Sequence, residues 1–148
     1  TTGSITGLYT VLVEGDDHNE PIADAARSIL DGHIVLTRKL AQDGHYPSID
    51  VLDSKSRVRD HLLAPAERQA ANRLLRAEAS YREKEDLIMV GAYQKGSDPM
   101  TDAAVQLRDP MLGFLQQRPD ESTPYADTRA ALGALSTRIE AAATRRSA

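Results

Sequence analysis

The chain has 148 residues, of which 41% are apolar, and this length suits one domain or one domain with part of another. Alanine supplies 21 residues, whereas five tyrosines and one phenylalanine are the only aromatic residues. This balance favours helices and excludes a β-sandwich or a small ligand-holding barrel. The absence of cysteine excludes disulfides and thiolate metal sites and fits a cytosolic protein. A net charge of −4 gives no reason to expect nucleic-acid binding.

The first third of the chain alternates between strand-like and helix-like sequence. Residues 4–13 are rich in β-branched and apolar residues without clean alternation, which predicts a strand buried on both faces of a parallel sheet. A helix is predicted for 21–31, a second strand for 33–36 and a helix capped by Thr37 for 38–44. This order indicates an α/β domain. Because two strands cannot complete such a sheet, further strands are expected upstream, and the chain is interpreted as a piece of a longer protein.

The second half is predicted to be helical. Its expected elements are a helix over 65–85, a turn-rich loop over 91–99, a helix over 99–117 that Pro110 kinks or splits, a linker over 118–124, and an Ala-rich helix from Tyr125 whose last residues fray.

Two familiar kinds of chemical site are missing from the pattern. The four histidines never show the i, i+4 spacing of a helical zinc pair, so no histidine metal site is predicted; they are His18, His33, His45 and His61. Gly91 and Gly96 have the spacing of a phosphate-binding loop. However, the order Lys95-Gly96-Ser97 is not the Gly-Lys-Ser/Thr that such a loop needs, so the segment is not a P-loop.

The strongest local charge pattern is acidic. The first 24 residues contain no lysine or arginine and five carboxylates, Glu14, Asp16, Asp17, Glu20 and Asp24. Loops after parallel strands commonly form sites in α/β proteins. The pattern fits a solvated turn at the start of a helix, a magnesium site, or a surface that binds a basic partner.

Several motifs, in order along the chain, resemble the flagellum-specific and type III secretion ATPases, which are relatives of the catalytic subunits of rotary ATP synthases. They are Gly-Ser-Ile-Thr (3–6), Tyr-Thr-Val-Leu-Val-Glu-Gly-Asp-Asp (9–17), Asn-Glu-Pro-Ile-Ala-Asp (19–24), Leu-Asp-Gly-His-Ile-Val-Leu (30–36), Gly-His-Tyr-Pro (44–47), Ile-Asp-Val-Leu (49–52) and Ser-Arg-Val (56–58). Residues 91–99 are more similar to the flagellar branch. The resemblance extends from residue 3 to about residue 117.

The resemblance implies a fold class of α/β followed by α. Residues 1–62 would be the end of a RecA-like, parallel-sheet nucleotide-binding domain, and residues 63–148 a C-terminal helical domain. In the family, the P-loop, the catalytic glutamate and the magnesium-associated aspartate lie upstream of the matching residues. ATP and Mg²⁺ would therefore be bound mainly by that upstream part, and this chain alone is not expected to hydrolyse ATP.

Three sites follow from the resemblance, and the first is the acidic loop. Asp16, Asp17, Asn19 and Glu20 match a family loop that faces the central stalk protein of the rotary relatives. Its charge suits arginine and lysine side chains on a helical stalk, which favours the partner-binding interpretation over magnesium.

The second site concerns the adenine base. Tyr46, followed by Pro47, matches the aromatic residue that packs on adenine, and a flat ring can hold a base by stacking. Tyr93 matches the family position that closes the other side of this pocket. The alternative for both tyrosines is packing in the protein core.

The third site is Arg57, which matches the arginine finger that reaches the γ-phosphate held by the neighbouring subunit. It follows a polar stretch, residues 50–56, which is predicted to be a loop. The alternative is a structural ion pair between Arg57 and Asp53 or Asp60.

The function implied for the intact protein is ATP hydrolysis that energises flagellar (type III) protein export. It would act as a homo-oligomer, expected to be a hexameric ring, around a central stalk protein. Export apparatus and substrate–chaperone complexes are the further partners implied, at a cytoplasmic location peripheral to the inner membrane. One alternative is a helical binding module that docks export substrates, chaperones or ring neighbours. Another is a non-catalytic rotary subunit, which the run over 15–21 disfavours.

Overall fold

The computed structural model describes residues 3–13 and 21–145, in which a small sheet with short helices precedes a bundle of longer helices. The elements in chain order are α1 (Pro21–Ile29), β1 (Gly32–Leu36), α2 (Arg38–Gln42), β2 (Ile49–Ser56), α3 (Arg59–Leu62), α4 (Pro65–Met89), α5 (Pro99–Gln106), α6 (Arg108–Leu115) and α7 (Tyr125–Thr144). None of the helices in this part of the chain is long and apolar enough to cross a membrane.

The helix ends follow the signals in the sequence. Thr37 caps α2, because its hydroxyl accepts a hydrogen bond from the Leu40 N–H at 3.3 Å. Helix α4 begins at Pro65, as predicted, but continues to Met89 rather than stopping at residue 85. It ends where Gly91 adopts a φ of 71°, a backbone conformation that glycine tolerates best.

Pro110 divides the predicted helix over 99–117 into two. Helix α5 ends at Gln106, Leu107 lies between the helices, and α6 begins at Arg108. Pro110 is thus in the first turn of α6, where a backbone N–H has no intrahelical acceptor and its absence costs little. The predicted interruption is confirmed.

The described sheet is antiparallel, which differs from the parallel pairing predicted for these residues. Leu36 of β1 pairs with Ile49 of β2, and Gly32 pairs with Ser56. A parallel connection has to return the chain to the start of β1, which is about 17 Å long. Helix α2 advances only about 7.5 Å. The hydrogen bond from the Thr37 N–H to the Ser48 carbonyl then brings the chain back to the end of β1, so β2 starts there and runs back along β1.

Residues 4–13 do not form the predicted strand in the described structure. They have no regular secondary structure, and the side chains of Ile5, Leu8 and Leu12 are exposed. A strand of a parallel sheet exists only when neighbours take up its backbone N–H and C=O groups and cover its faces. No described residue pairs with this segment, so its strand-like sequence forms no strand here.

The prediction of a polar loop over 50–56 is wrong, because these residues belong to β2. Asp50, the first residue of the polar stretch that suggested a loop, is only 6% exposed. Its carboxylate is paired with a side chain from α4, so a polar residue occupies a buried strand position without an unpaired charge.

The core lies among the long helices of the second half, where α5 and α7 pack on α4 and on each other. Its buried side chains are Leu74, Ala77, Ala103, Ala104, Leu107, Met111, Leu135 and Ile139. The alanines let the helix backbones approach closely, which explains how an alanine-rich sequence fills a core. One buried carboxylate, Glu78, is paired with Arg108 at 2.6 Å. The Arg108 guanidinium also lies over the Tyr81 ring, 4.0 Å from its centroid.

Asp98 joins the start of α5 to α4. Its carboxylate accepts hydrogen bonds from the Thr101 hydroxyl at 2.6 Å, the Met100 N–H at 3.0 Å and the Lys84 ammonium at 3.0 Å. The hydrogen bond from Thr101, with those from Lys84 and Met100, outweighs burial and lowers the pKa of Asp98 from 3.8 to about 2.

We therefore expect Asp98 to stabilise the fold in its charged form. Because its pKa is lower when folded, this stability is present above pH 3.8 and is lost as the pH falls towards 2. Asp98→Asn should cost at most roughly 2 kcal/mol at neutral pH, and the cost should vanish near pH 2. Unfolding followed by circular dichroism across this range measures it. Asp120→Asn is the matched control, because Asp120 is an exposed carboxylate whose ion pair is with Arg118 at the surface. An Asp98→Asn cost that stayed constant with pH would contradict the assignment.

Candidate functional site

Tyr46 lies in the turn between α2 and β2, with its ring open to solvent. The turn is fixed by hydrogen bonds from the Thr37 N–H to the Ser48 carbonyl at 3.0 Å and from the His45 N–H to the Leu40 carbonyl at 2.9 Å. The Tyr46–Pro47 peptide bond is cis. Tyr46 is 56% exposed, so it is not a core residue, and an exposed tyrosine can stack its ring on a planar group.

Arg57 is the first residue after β2, at the other end of the strand. Its backbone N–H donates to the Asp31 carbonyl at 2.8 Å. Its guanidinium donates to the carbonyls of Arg27 and Ser28, at 3.4 and 3.3 Å, at the C-terminal end of α1. These bonds are long and are made to neutral acceptors at an exposed position, so they are weak compared with a charge-assisted bond to a phosphate.

The structural ion pair considered for Arg57 is not formed among the described residues. Its guanidinium forms no ion pair with Asp53 or Asp60, and Asp60 instead pairs with Arg59 at 3.6 Å. Within residues 3–13 and 21–145, the Arg57 side chain therefore makes hydrogen bonds to backbone carbonyls and no ion pair with a carboxylate. A permanently charged guanidinium without a carboxylate partner suits an anion supplied from outside the chain.

Tyr93 is placed differently from Tyr46. Its half-buried side chain carries a hydroxyl that lies 3.2 Å from the Asp98 carbonyl and 3.0 Å from Asp102 Oδ1, both at the start of α5. In the same loop, the Gly96 N–H donates to Asp102 Oδ2 at 2.8 Å. An N–H that binds a carboxylate is not offered to a phosphate, which agrees with the sequence argument against a P-loop here.

The segment that directly follows α6 contacts the Tyr46 turn. The Gln117 N–H donates to the Tyr46 carbonyl at 2.9 Å. The structure therefore brings Tyr46 next to Gln117 and ties the hydroxyl of Tyr93 to α5. Sequence reasoning missed this contact, because a main-chain hydrogen bond between distant segments leaves no signal in the residue types.

The acidic loop with Asp16, Asp17, Asn19 and Glu20 lies outside the described residues. Within 3–13 and 21–145, no group of three or more histidine or carboxylate side chains is placed to bind a metal ion.

Comparison with known proteins assigns both halves of the chain. The nucleotide-binding domain model of the ATP synthase alpha/beta family matches residues 1–56, and the model of the T3SS EscN ATPase C-terminal domain matches residues 63–134. A type 3 secretion system ATPase of Pseudomonas savastanoi pv. phaseolicola is 50% identical over 93% of this chain and 30% of its own length. The flagellum-specific ATP synthase of Treponema pallidum is also 50% identical, over 90% of this chain and 30% of its own length.

Solved structures of type III secretion ATPases also match this chain. The assembled ATPase EscN of the enteropathogenic E. coli type III secretion system matches with a TM-score of 0.86 and 42% identity, over 90% of this chain and 32% of that one. EscN in complex with its central stalk EscO matches with a TM-score of 0.75 and 40% identity, over 78% of this chain and 29% of that one.

The two matches together place the chain in the ATP synthase alpha/beta class. Within that class, the chain belongs to the type III secretion and flagellum-specific ATPases and corresponds to a C-terminal portion of them. The predicted family and fold class are confirmed. The chain spans about 30% of the length of the curated relatives that it matches. Relatives from both branches match equally well, so the flagellar assignment stays a prediction.

Proposed function

We propose that the whole protein hydrolyses ATP to energise type III protein export, with flagellar export as the predicted branch. It would act as a homo-oligomeric ring around a central stalk protein, with export apparatus and substrate–chaperone complexes as partners near the inner membrane. The assembled EscN ATPase and its complex with a central stalk support the ring and the stalk. Residues 1–62 would close the nucleotide-binding domain, and residues 63–148 would form the helical domain.

The observation that carries this proposal is the placement of Tyr46 and Arg57 at opposite ends of β2, each with an exposed side chain. Because Ile49 pairs with Leu36 and Ser56 pairs with Gly32, the two ends of β2 lie about as far apart as the ends of β1, which is about 17 Å long. Tyr46 and Arg57 thus flank the strand on different sides, which fits a base contact and a phosphate contact made at different nucleotides. Tyr46 would stack on the adenine bound by its own subunit. Arg57 would release its weak hydrogen bonds to the carbonyls of α1 and bind the γ-phosphate of the ATP held by the neighbouring subunit. Tyr93 stays a candidate for the other side of the adenine pocket.

ATP and Mg²⁺ would be held mainly by residues outside this chain. The exposed ring of Tyr46 fits the adenine base, whereas the described residues offer no P-loop for the phosphates. Binding of the magnesium-bound triphosphate and activation of water would thus fall to the P-loop part of the protein. This chain would supply base stacking and a charge in trans.

A concentration series on the purified full-length protein tests the function. Because each site needs a neighbouring subunit, turnover per subunit should rise as the protein assembles and level off when rings are complete. We expect Mg²⁺-dependent phosphate release that follows the assembled fraction measured by light scattering. Turnover that is independent of assembly would contradict a site shared between subunits, and absence of ATP hydrolysis by assembled protein would contradict the enzyme itself.

The acidic loop provides a separate test of the stalk partner. Asp16→Ala combined with Asp17→Ala should leave basal ATP hydrolysis within about two-fold, because these side chains would contact a basic stalk rather than the nucleotide. The increase in turnover on adding the stalk protein should fall, and more strongly at low salt, where exposed charges interact most.

Asp24→Ala is the control for this test, because it removes an exposed carboxylate from the adjoining helix. It should leave the response to the stalk unchanged. If basal turnover of the double variant instead collapsed and excess Mg²⁺ restored it, the loop would be a metal site.

A further inference from the structure

Asp50 is a buried carboxylate in β2 that is bound by a side chain from the helical half. The Arg82 guanidinium of α4 contacts it with both terminal nitrogens, Nη1 to Oδ2 at 2.8 Å and Nη2 to Oδ1 at 3.1 Å. The backbone N–H groups of Leu52 and Asp53 also donate to Oδ1, at 3.0 and 3.2 Å. Four donors therefore converge on one carboxylate whose side chain is 8% exposed.

This contact fixes orientation as well as distance. A two-pronged contact between guanidinium and carboxylate keeps the two planes aligned, which a single-point ammonium contact does not do. Burial raises the pKa of Asp50, but the hydrogen bonds from Arg82, Asp53 and Leu52 outweigh it and hold that pKa below its ordinary value. The carboxylate therefore stays charged at neutral pH, and loss of Arg82 would leave a buried charge without its counter-ion.

The position of Asp50 connects it to both candidate nucleotide residues. It lies four residues after Tyr46 and seven before Arg57, on the strand that joins them. The Tyr46 end of this segment is attached to the helical half a second time, through the Gln117 N–H. Two attachments, from Arg82 of α4 and from Gln117 just after α6, hold this end of β2 against the helical half.

We propose that Arg82 and Asp50 form a positioning pair that sets the placement of β2, and through it of Tyr46 and Arg57, relative to the helical half. A shift of α4 would then move the adenine-stacking ring and the guanidinium together. The pair does not touch the nucleotide. The catalytic part of this inference rests on the proposed function, whereas the structural part does not.

The test compares two arginines of the same helix in the full-length protein. Arg82→Met removes the guanidinium but keeps an unbranched, helix-forming side chain. Arg73→Met is the matched control, because Arg73 pairs with Glu140 of α7 at 2.8 Å, within the helical half. Arg82→Lys keeps the charge without the two-pronged contact. Asp50→Asn, which keeps the side-chain shape, replaces Arg82→Met if that variant does not fold.

Two measurements are made on each variant. In Arg82→Met, hydrogen exchange of the β2 amides should become roughly ten-fold faster or more, since a hydrogen-bonded charge partner is lost. ATP turnover should fall by a similar factor. Arg73→Met should lower the melting temperature without changing β2 exchange, and Arg82→Lys should lie between Arg82→Met and wild type in both measurements.

The outcomes separate the two proposals. If Arg82→Met and Arg73→Met changed β2 exchange equally, the pair would be an ordinary structural contact and the inference would be wrong. Faster β2 exchange with unchanged ATP kinetics would also overturn the link to Tyr46 and Arg57. If the wild-type protein did not hydrolyse ATP, the proposed enzyme function would fail, while the exchange comparison would still decide whether the pair positions β2.

Discussion

Replacing Arg57 with alanine in the full-length protein should lower ATP turnover by roughly 10³-fold or more, while ATP affinity stays within a few-fold. Negative charge spreads over the oxygens of the transferred phosphoryl group in the transition state. A planar, permanently charged guanidinium can contact two of these oxygens at once. Arg57→Lys should recover little activity, because an ammonium offers a single point of charge. Steady-state phosphate release and binding of a non-hydrolysable ATP analogue measure the two quantities.

Arg59→Ala is the control for this substitution. Arg59 is two residues away, and its guanidinium is hydrogen-bonded to Asn72 at 2.9 Å within its own chain. It should reduce turnover far less than Arg57→Ala. If both variants lost a similar amount of ATP turnover, the substitutions would be disturbing the structure around α3, and Arg57 would not be a catalytic group.

Mixed rings test whether Arg57 acts on the neighbouring subunit. One subunit type carries Arg57→Ala with an intact P-loop, and the other carries an inactivated P-loop with an intact Arg57. Neither should hydrolyse ATP alone. Together they should regain activity, because an intact P-loop of the first can face Arg57 of the second. No recovery in rings shown to contain both types would count against action in trans.

The helices were predictable because their signals are local. Pro65 marks the first residue of α4, Thr37 caps α2, and Pro110 separates α5 from α6. Each of these residues acts on a few neighbouring backbone groups, so a short stretch of sequence is enough to predict where the helix begins or ends. The strands were less predictable, because their partners lie elsewhere. Residues 4–13 have the composition of a strand, but they form no strand in the described structure.

Asp50 shows why the strand β2 and its contact with the helical half could not be predicted. A polar run between two candidate site residues indicates a loop when only sequence neighbours are considered. The residue that makes a buried strand position possible for Asp50 is Arg82, 32 positions away in the other half. No periodicity links the two. Tyr46 and Arg57 were likewise identified only through the family resemblance, since one tyrosine and one arginine have no local signature of nucleotide binding.

The second large effect concerns Tyr46. Stacking of a base on an aromatic ring contributes about 1–3 kcal/mol, so Tyr46→Ala should weaken ATP binding roughly 5- to 150-fold. Because adenine is remote from the reacting phosphate, the ring should stabilise substrate and transition state equally. KM should therefore rise while kcat changes little. Tyr46→Phe should behave like wild type, since the ring face is kept.

The structure makes this substitution easy to interpret. The Tyr46 side chain is 56% exposed, and the contact with Gln117 uses its main-chain carbonyl, so alanine removes little besides the ring. Tyr125→Ala is the matched control, because that ring is 67% exposed at the start of α7. It should leave KM unchanged.

Isothermal titration with ATP and with a guanine or pyrimidine triphosphate gives a second check. Stacking tolerates any base, so Tyr46→Ala should weaken binding of the purine and pyrimidine nucleotides together, and a loss confined to ATP would mean that the pocket recognises the edge of adenine instead.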